Sequence, residues 1–135
     1  LWNNVGVAHA ATRGMAAGLK AFQTAVSLDP SGARAHVNLT HALWELKEPG
    51  LSRDLLEKTV ALAPEEPLPH LLLADILQAK NDLKGAAAQL DLAAQHSGHN
   101  PKLQSFVRAV SAKIKREAGL DQQKKEGIAG KGPAR

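Results

Sequence analysis

Six histidines are the residues of this chain with the most obvious capacity for chemistry, because imidazole both ligates metals and transfers protons near neutral pH. They are His9, His36, His41, His70, His96 and His99. His36 and His70 stand 34 residues apart, so we do not expect them in one coordination sphere. His96 and His99 are closer but straddle an expected helix end and have no obvious third ligand. We therefore predict solvated or hydrogen-bonded histidines and no metal site.

Catalytic motifs are also missing from the sequence. It contains no Gly-rich phosphate loop, no His-Glu-x-x-His zinc motif, no Gly-x-Ser-x-Gly nucleophile elbow and no cysteine. The adjacent carboxylates Glu65 and Glu66 directly precede Pro67, where they suit the positive N-terminal end of a helix. We therefore predict no enzymatic activity and no cofactor.

The elements that must position these side chains repeat every 34 residues. The segment AVSLDP ends at Pro30 and returns as TVALAP, which ends at Pro64. Residues of like size recur in the same register, namely Val5, Leu39 and Leu73; Gly6, Thr40 and Ala74; Gly18, Ser52 and Ala86; Phe22, Leu56 and Leu90; Ala25, Thr59 and Ala93. A period of this length is typical of helix–turn–helix units that bury their apolar faces against one another.

These landmarks resemble the tetratricopeptide repeat. The first unit carries the family pattern as Trp2, Gly6, Gly18, Phe22, Ala25 and Pro30. The second unit departs from it at Thr40 and Thr59, and the third ends at Gly98 with its proline delayed to Pro101. The resemblance covers residues 1–98 and implies that the chain holds proteins together.

The predicted fold class is all-α: a right-handed α-solenoid of three stacked helix–turn–helix repeats with a C-terminal capping helix. The tetratricopeptide domain is placed at 1–118, with repeats at 1–30, 31–64 and 65–98, a capping helix at 101–118 and a basic flexible tail at 119–135. First helices are expected near 1–12, 33–47 and 67–80, and second helices near 15–28, 50–62 and 83–96.

Local chemistry predicts where these helices begin. The expected caps are Ser31, Asp82 and Asn100, and the prolines expected in a first helical turn are Pro49, Pro67 and Pro101. The capping helix should bury one apolar stripe, formed by Leu103, Phe106, Val107, Val110 and Ile114.

Charge is unevenly divided along the chain. Residues 1–100 hold 8 Lys and Arg against 10 Asp and Glu, whereas residues 101–135 hold 9 against 3. A basic patch is therefore expected at Lys113, Lys115, Arg116, Lys124 and Lys125. It motivates a second hypothesis, electrostatic binding of nucleic acid or an anionic surface, although the lack of interleaved aromatic residues disfavours nucleic acid.

No apolar run is long enough to span a membrane, so we expect a soluble chain, cytoplasmic or periplasmic, without membrane insertion. The sequence starts at Leu1 and enters a repeat at once, which suggests a fragment of a longer repeat protein. The open face of its first repeat offers a possible route to self-association.

The resemblance implies that the first helix of each unit lines a concave groove. Helical spacing assigns to this groove Asn3, Asn4, Val7, Arg34, Val37, Asn38, His41, Trp44, Glu45, Leu68, Leu71, Leu72, Asp75 and Gln78. We expect the groove to bind a peptide or an amphipathic helix of a partner protein.

Two amides in this groove, Asn4 and Asn38, stand one period apart and resemble the asparagine ladder of tetratricopeptide glycosyltransferases. The ladder breaks at Leu72, and two exposed amides on a polar helix face are the alternative. The dicarboxylate clamp of chaperone-binding members, which needs Lys and Arg in the groove, is not matched. The corresponding positions here hold Asn3, Val7, Leu68 and Leu72, and only Asn38 agrees with the clamp.

The two tryptophans receive different interpretations. Trp44 has Ala10 and Gln78 as its counterparts one period away, so no packing rule demands a large ring there. It is a candidate anchor for an apolar partner residue, or else it fills space between first helices. Trp2 matches a family landmark and is expected in the core.

Overall fold

The protein is described by a computed structural model over residues 1–120. In this part of the chain all regular secondary structure is helical, with α1 (Trp2–Arg13), α2 (Met15–Leu28), α3 (Ala33–Glu45), α4 (Arg53–Leu62), α5 (Pro67–Ala79), α6 (Leu83–Gln95) and α7 (Pro101–Glu117). The all-α prediction is confirmed, and each helix bound lies within three residues of its predicted position. Most of the predicted basic tail, including Lys124 and Lys125, lies outside the described residues.

The helices belong to two compact units, Leu1–Pro69 and His70 onward. In the first unit, α1 and α2 approach closely because glycines face each other. A Cβ on Gly18 would lie 2.6 Å from the carbonyl oxygen of Gly6, and a Cβ on Gly6 would lie 2.5 Å from the ring of Phe22. The small size of Gly6 and Gly18 is therefore required by the contact between α1 and α2.

The same Phe22 ring joins the first hairpin to the second. It is 3% exposed and forms a cluster with the buried side chains of Leu39, Ala42 and Leu43. Thr40 and Thr59, which depart from the family pattern, are both fully buried and share a hydrogen bond of 3.2 Å between their hydroxyl groups. Their polarity is therefore satisfied inside the unit.

In the second unit, polar contacts attach the capping helix α7 to α6. The Ser111 hydroxyl donates to Oδ1 of Asp91 at 2.6 Å, and the Lys115 ammonium donates to Oδ2 of the same carboxylate at 2.6 Å. Val107 and Ile114 are buried on the same face. The capping role predicted for this helix thus depends on a carboxylate as well as on apolar packing.

Two aromatic residues expected in the core are exposed instead. Phe106 is 68% exposed, because the buried face of α7 is centred on Val107, Ser111 and Ile114 and turns Phe106 outward. Trp2 is 43% exposed and lines an open surface depression. Both core predictions were wrong.

The caps predicted at Asp82 and Asn100 are confirmed. The Asp82 carboxylate accepts from the backbone N–H of Gly85 at 2.9 Å, and Oδ1 of Asn100 accepts from that of Leu103 at 3.1 Å. The prolines that open a helix as predicted are Pro67 and Pro101.

The predictions for Ser31 and Pro49 were wrong. The Ser31 hydroxyl donates to the Asp29 carboxylate at 2.7 Å, so it does not cap α3. Pro49 lies in a turn, and α4 begins only at Arg53, after Ser52 accepts from a backbone N–H as the true cap. The Ser52 hydroxyl therefore sets the start of α4, and Pro49 stays outside the helix.

Candidate functional site

The first unit brings six of the predicted groove residues around one surface depression of about 560 Å³. These six come from α1 and α3 and are Asn3, Asn4, Val7, Arg34, Val37 and Asn38. The rest of the lining is Ala33, Ala63, Glu65 and Glu66. We name this depression the α1–α3 groove.

An amide pair connects the two helices that line the α1–α3 groove. Nδ2 of Asn38 donates to Oδ1 of Asn3 at 2.8 Å, and both side chains are half-buried. The 34-residue period aligns Asn38 with Asn4, which is exposed and makes no side-chain hydrogen bond within residues 1–120. This hydrogen bond leaves the side-chain NH₂ of Asn3 and Oδ1 of Asn38 available to a ligand.

Charges of both signs border the groove without neutralising each other. Arg34 is on α3, and Glu65 and Glu66 are on the turn between α4 and α5. Among the described residues, none of these three side chains forms an ion pair or a side-chain hydrogen bond. The groove therefore presents a guanidinium and two carboxylates to whatever enters it.

The groove continues along α3 toward Trp44. A second depression of about 250 Å³ shares Val7 and Asn38 with the first and adds His41 to its lining. The His41 ring meets the Trp44 ring edge to face, with centroids 6.0 Å apart. Since a helix rises 1.5 Å per residue, the track from Arg34 to Trp44 is roughly 15 Å long.

Trp44 itself is 47% exposed at the far end of this track. It lines a third depression of about 440 Å³ with Glu45, Lys47, Glu48 and Leu51. About half of Trp44 is therefore open to a ligand, and its role as a binding anchor stays a prediction.

The remaining predicted groove residues lie on α5. Leu68 belongs to the first unit, and the others, in the second unit, are Leu71, Leu72, Asp75 and Gln78. Leu71 and Leu72 are half-buried, and burial raises the pKa of the Asp75 carboxyl above its ordinary value. Their role in binding stays a prediction.

The predicted basic patch is only partly free. Lys113 and Arg116 are exposed on α7, whereas Lys115 is held by Asp91. Phe106 lies on the same helical face as Lys113, which is seven residues further along α7. An exposed aromatic ring is therefore close to the exposed basic side chains. This combination could not be foreseen while Phe106 was assigned to the core.

Two histidines make the hydrogen bonds that the sequence suggested. Nδ1 of His36 lies 2.9 Å from the carbonyl oxygen of Gly32, and Nδ1 of His70 lies 2.7 Å from Oε1 of Gln89. The His70 and His96 rings also stack, with centroids 6.2 Å apart, a pairing that their off-period spacing gave no means to predict. Within residues 1–120 no three His, Cys, Asp or Glu side chains could hold a metal ion.

The first-repeat face presents a further depression of about 510 Å³. Its apolar lining includes Leu1 and Leu28, which are largely exposed, and Trp2, which is 43% exposed. Self-association through this face stays a prediction. Over the described residues, no helix is long and apolar enough to cross a membrane.

No family model matches the chain, and no curated protein sequence does. Solved structures do match. The type III secretion translocator chaperone SycD of Yersinia enterocolitica matches at 19% identity and a TM-score of 0.63, over 87% of this chain and 83% of that one. PcrH, solved with the chaperone binding region of PopD, matches at 18% identity and a TM-score of 0.63, over 87% and 90% of the two chains.

A third match is the first tetratricopeptide domain of Spaghetti (RPAP3), solved with an HSP90 peptide. It has 14% identity and a TM-score of 0.61, over 84% of this chain and 90% of that one. The chain is an all-α protein built from helical hairpins. Its fold is that of the tetratricopeptide-repeat proteins.

Proposed function

We propose that this chain is a protein-interaction adaptor that binds a peptide segment of a partner protein in the α1–α3 groove. The observation that carries the proposal is the open groove itself, about 560 Å³, with the Asn3–Asn38 amide pair between its helices. The proposal includes no catalytic step.

The lining suits an extended peptide. The Asn3 amide group, Oδ1 of Asn38 and the exposed Asn4 side chain can donate to and accept from a peptide backbone. Val7 and Val37 supply apolar surface for an alternate side chain. At about 3.3 Å per residue, the track to Trp44 accommodates about four or five extended residues.

The structural neighbours support the proposal at a coarse level. PcrH was solved with a segment of PopD, SycD with a peptide of the translocator YopD, and Spaghetti with an HSP90 peptide. We do not extend the HSP90 peptide to this chain, because the clamp positions hold Asn3, Val7, Leu68 and Leu72 and lack the required cations.

Selection from a displayed library of random dodecapeptides tests this function. Enriched peptides should bind the wild-type chain and shift the amide resonances of α1 and α3. Val37→Glu, which places a charge in the groove, should abolish their binding while the circular dichroism spectrum is unchanged. Gln23→Glu, exposed on α2 outside the groove, is the matched control. Absence of enriched peptides, or shifts confined to other helices, would contradict the proposal.

A second candidate function is electrostatic binding through α7, favoured by the exposed Phe106 ring on the face that carries Lys113. Binding to an oligonucleotide or to anionic vesicles would then fall steeply with salt and weaken in Phe106→Ala. Salt-insensitive binding, or equal binding by that variant, would remove this candidate.

A further inference from the structure

The inference concerns which peptides the α1–α3 groove selects, and it rests on the proposed function. We infer that the bound segment carries one basic and one acidic side chain, the basic one at Glu65 and Glu66 and the acidic one at Arg34. An apolar side chain lies between them on Val7 and Val37.

Within residues 1–120, the charged side chains that line the groove have no ion-pair partner. Arg34 and Glu65 are exposed, Glu66 is half-buried, and none forms an ion pair within residues 1–120. Elsewhere in the described chain, carboxylates within reach of a cation do pair, as Glu57 does with Arg53 at 2.7 Å. The groove charges therefore form no contact ion pair with each other and are available to a ligand.

The groove has a basic wall, formed by Arg34, and an acidic wall, formed by Glu65 and Glu66, and the two walls select opposite charges. A guanidinium binds a carboxylate through two parallel N–H donors, so Arg34 selects an acidic side chain more strongly than a lysine would. Two adjacent carboxylates attract an ammonium or guanidinium group and disfavour an acidic one. Because the walls differ in sign, a peptide with a single type of charge meets repulsion at one of them.

Glu65 and Glu66 also have a local structural effect, which is distinct from ligand binding. Glu65 and Glu66 precede α5 and also favour its positive N-terminal end. That effect needs only one carboxylate near the first turn and involves no residue of α3. Stabilisation of the α5 N-terminus does not explain why Arg34 on α3 lines the same depression as Glu65 and Glu66. That depression also contains the Asn3–Asn38 pair.

The experiment repeats the dodecapeptide selection with variants of each wall. Glu65→Gln with Glu66→Gln should remove the enrichment of Lys and Arg and leave that of Asp and Glu. Arg34→Gln should do the opposite. The matched controls are Lys20→Gln, with the same charge change as Arg34→Gln, and Gln23→Lys with Ser27→Lys, with the same change as the double Glu variant; all three positions are exposed on α2.

A second measurement needs no change in the protein. Replacing the basic or the acidic residue of an enriched peptide by glutamine should weaken binding to the wild-type chain about fivefold each. This arm holds even if a Glu65 variant folds poorly.

The outcomes separate the inference from the function it rests on. If no peptide is enriched, the proposed function fails. If enriched peptides lose binding in Val37→Glu but show no charge preference, the proposed function stands and the inference is overturned. It is also overturned if the controls shift both preferences as strongly as the groove variants do, because net charge would then explain them.

Discussion

Asn38 donates a hydrogen bond to Asn3 across 2.8 Å, and this pair joins α1 to α3 one residue out of step with the 34-residue period. Asn4, the in-register residue, is exposed. Asn38→Ala should therefore lower the free energy of unfolding by about 1 kcal/mol, the typical contribution of a half-buried hydrogen bond. Chemical denaturation of Asn38→Ala, Asn3→Ala and the double variant measures this loss of stability, and Asn4→Ala is the control. Equal losses for Asn4 and Asn38 would contradict the pairing.

Gly18→Ala should destabilise the first unit strongly. Its new methyl group would lie 2.6 Å from the carbonyl oxygen of Gly6, and backbone cannot move aside as a flexible side chain can. We expect a loss of about 1–3 kcal/mol, the usual range for overpacking. Gly98→Ala is the control, because its methyl group meets nothing within 4 Å. Thermal unfolding compares the two, and similar midpoints would rule out the close contact.

The orientation of α7 can be tested with two adjacent residues. Val107→Ala should lower stability by about 1–2 kcal/mol, because Val107 is 2% exposed. Phe106→Ala removes a larger side chain but should change stability by less than about 0.5 kcal/mol, because Phe106 is 68% exposed. The reverse order in urea unfolding would restore the sequence-based orientation.

Asp91 accepts from both Ser111 and Lys115, so its removal should cost more than the removal of either donor alone. Asp91→Ala leaves the buried Ser111 hydroxyl without its shortest hydrogen bond, whereas Lys115→Ala breaks only a partly exposed ion pair, worth up to about 1 kcal/mol. Hydrogen exchange of α7 amides should rise more in Asp91→Ala. Equal protection in both variants would contradict this ranking.

The raised pKa of the Asp75 carboxyl leads us to expect that stability depends on pH. Burial raises its folded-state pKa above 3.8, so the folded protein binds this proton more tightly than the unfolded chain does. Stability from this group is thus fully present below pH 3.8 and is lost as the pH rises through the folded pKa. Asp75→Asn should raise the unfolding midpoint at pH 7 relative to wild type, with the gap closing on acidification. A gap that persists at low pH would point to another cause.

The sequence by itself determined the number, type and approximate bounds of the helices. Its 34-residue period placed small and bulky residues at fixed depths, and caps such as Asp82 and Asn100 are local interactions that need no distant partner. Such features depend on neighbours within one or two turns, so they can be inferred without knowing how helices meet.

Only the tertiary structure decided how each helix is rotated against its partners. Successive residues of a helix point about 100° apart, so the rotation of each helix about its axis decides whether Asn3 or Asn4 faces α3 and whether Phe106 is buried. The buried face of α7 includes Ser111 because Asp91 on α6 satisfies its hydroxyl, and hydrophobic pattern alone cannot anticipate a polar partner 20 residues away. One groove is lined by Arg34, Glu65 and Glu66. Their common location likewise depends on packing between helices, which the 34-residue period does not encode.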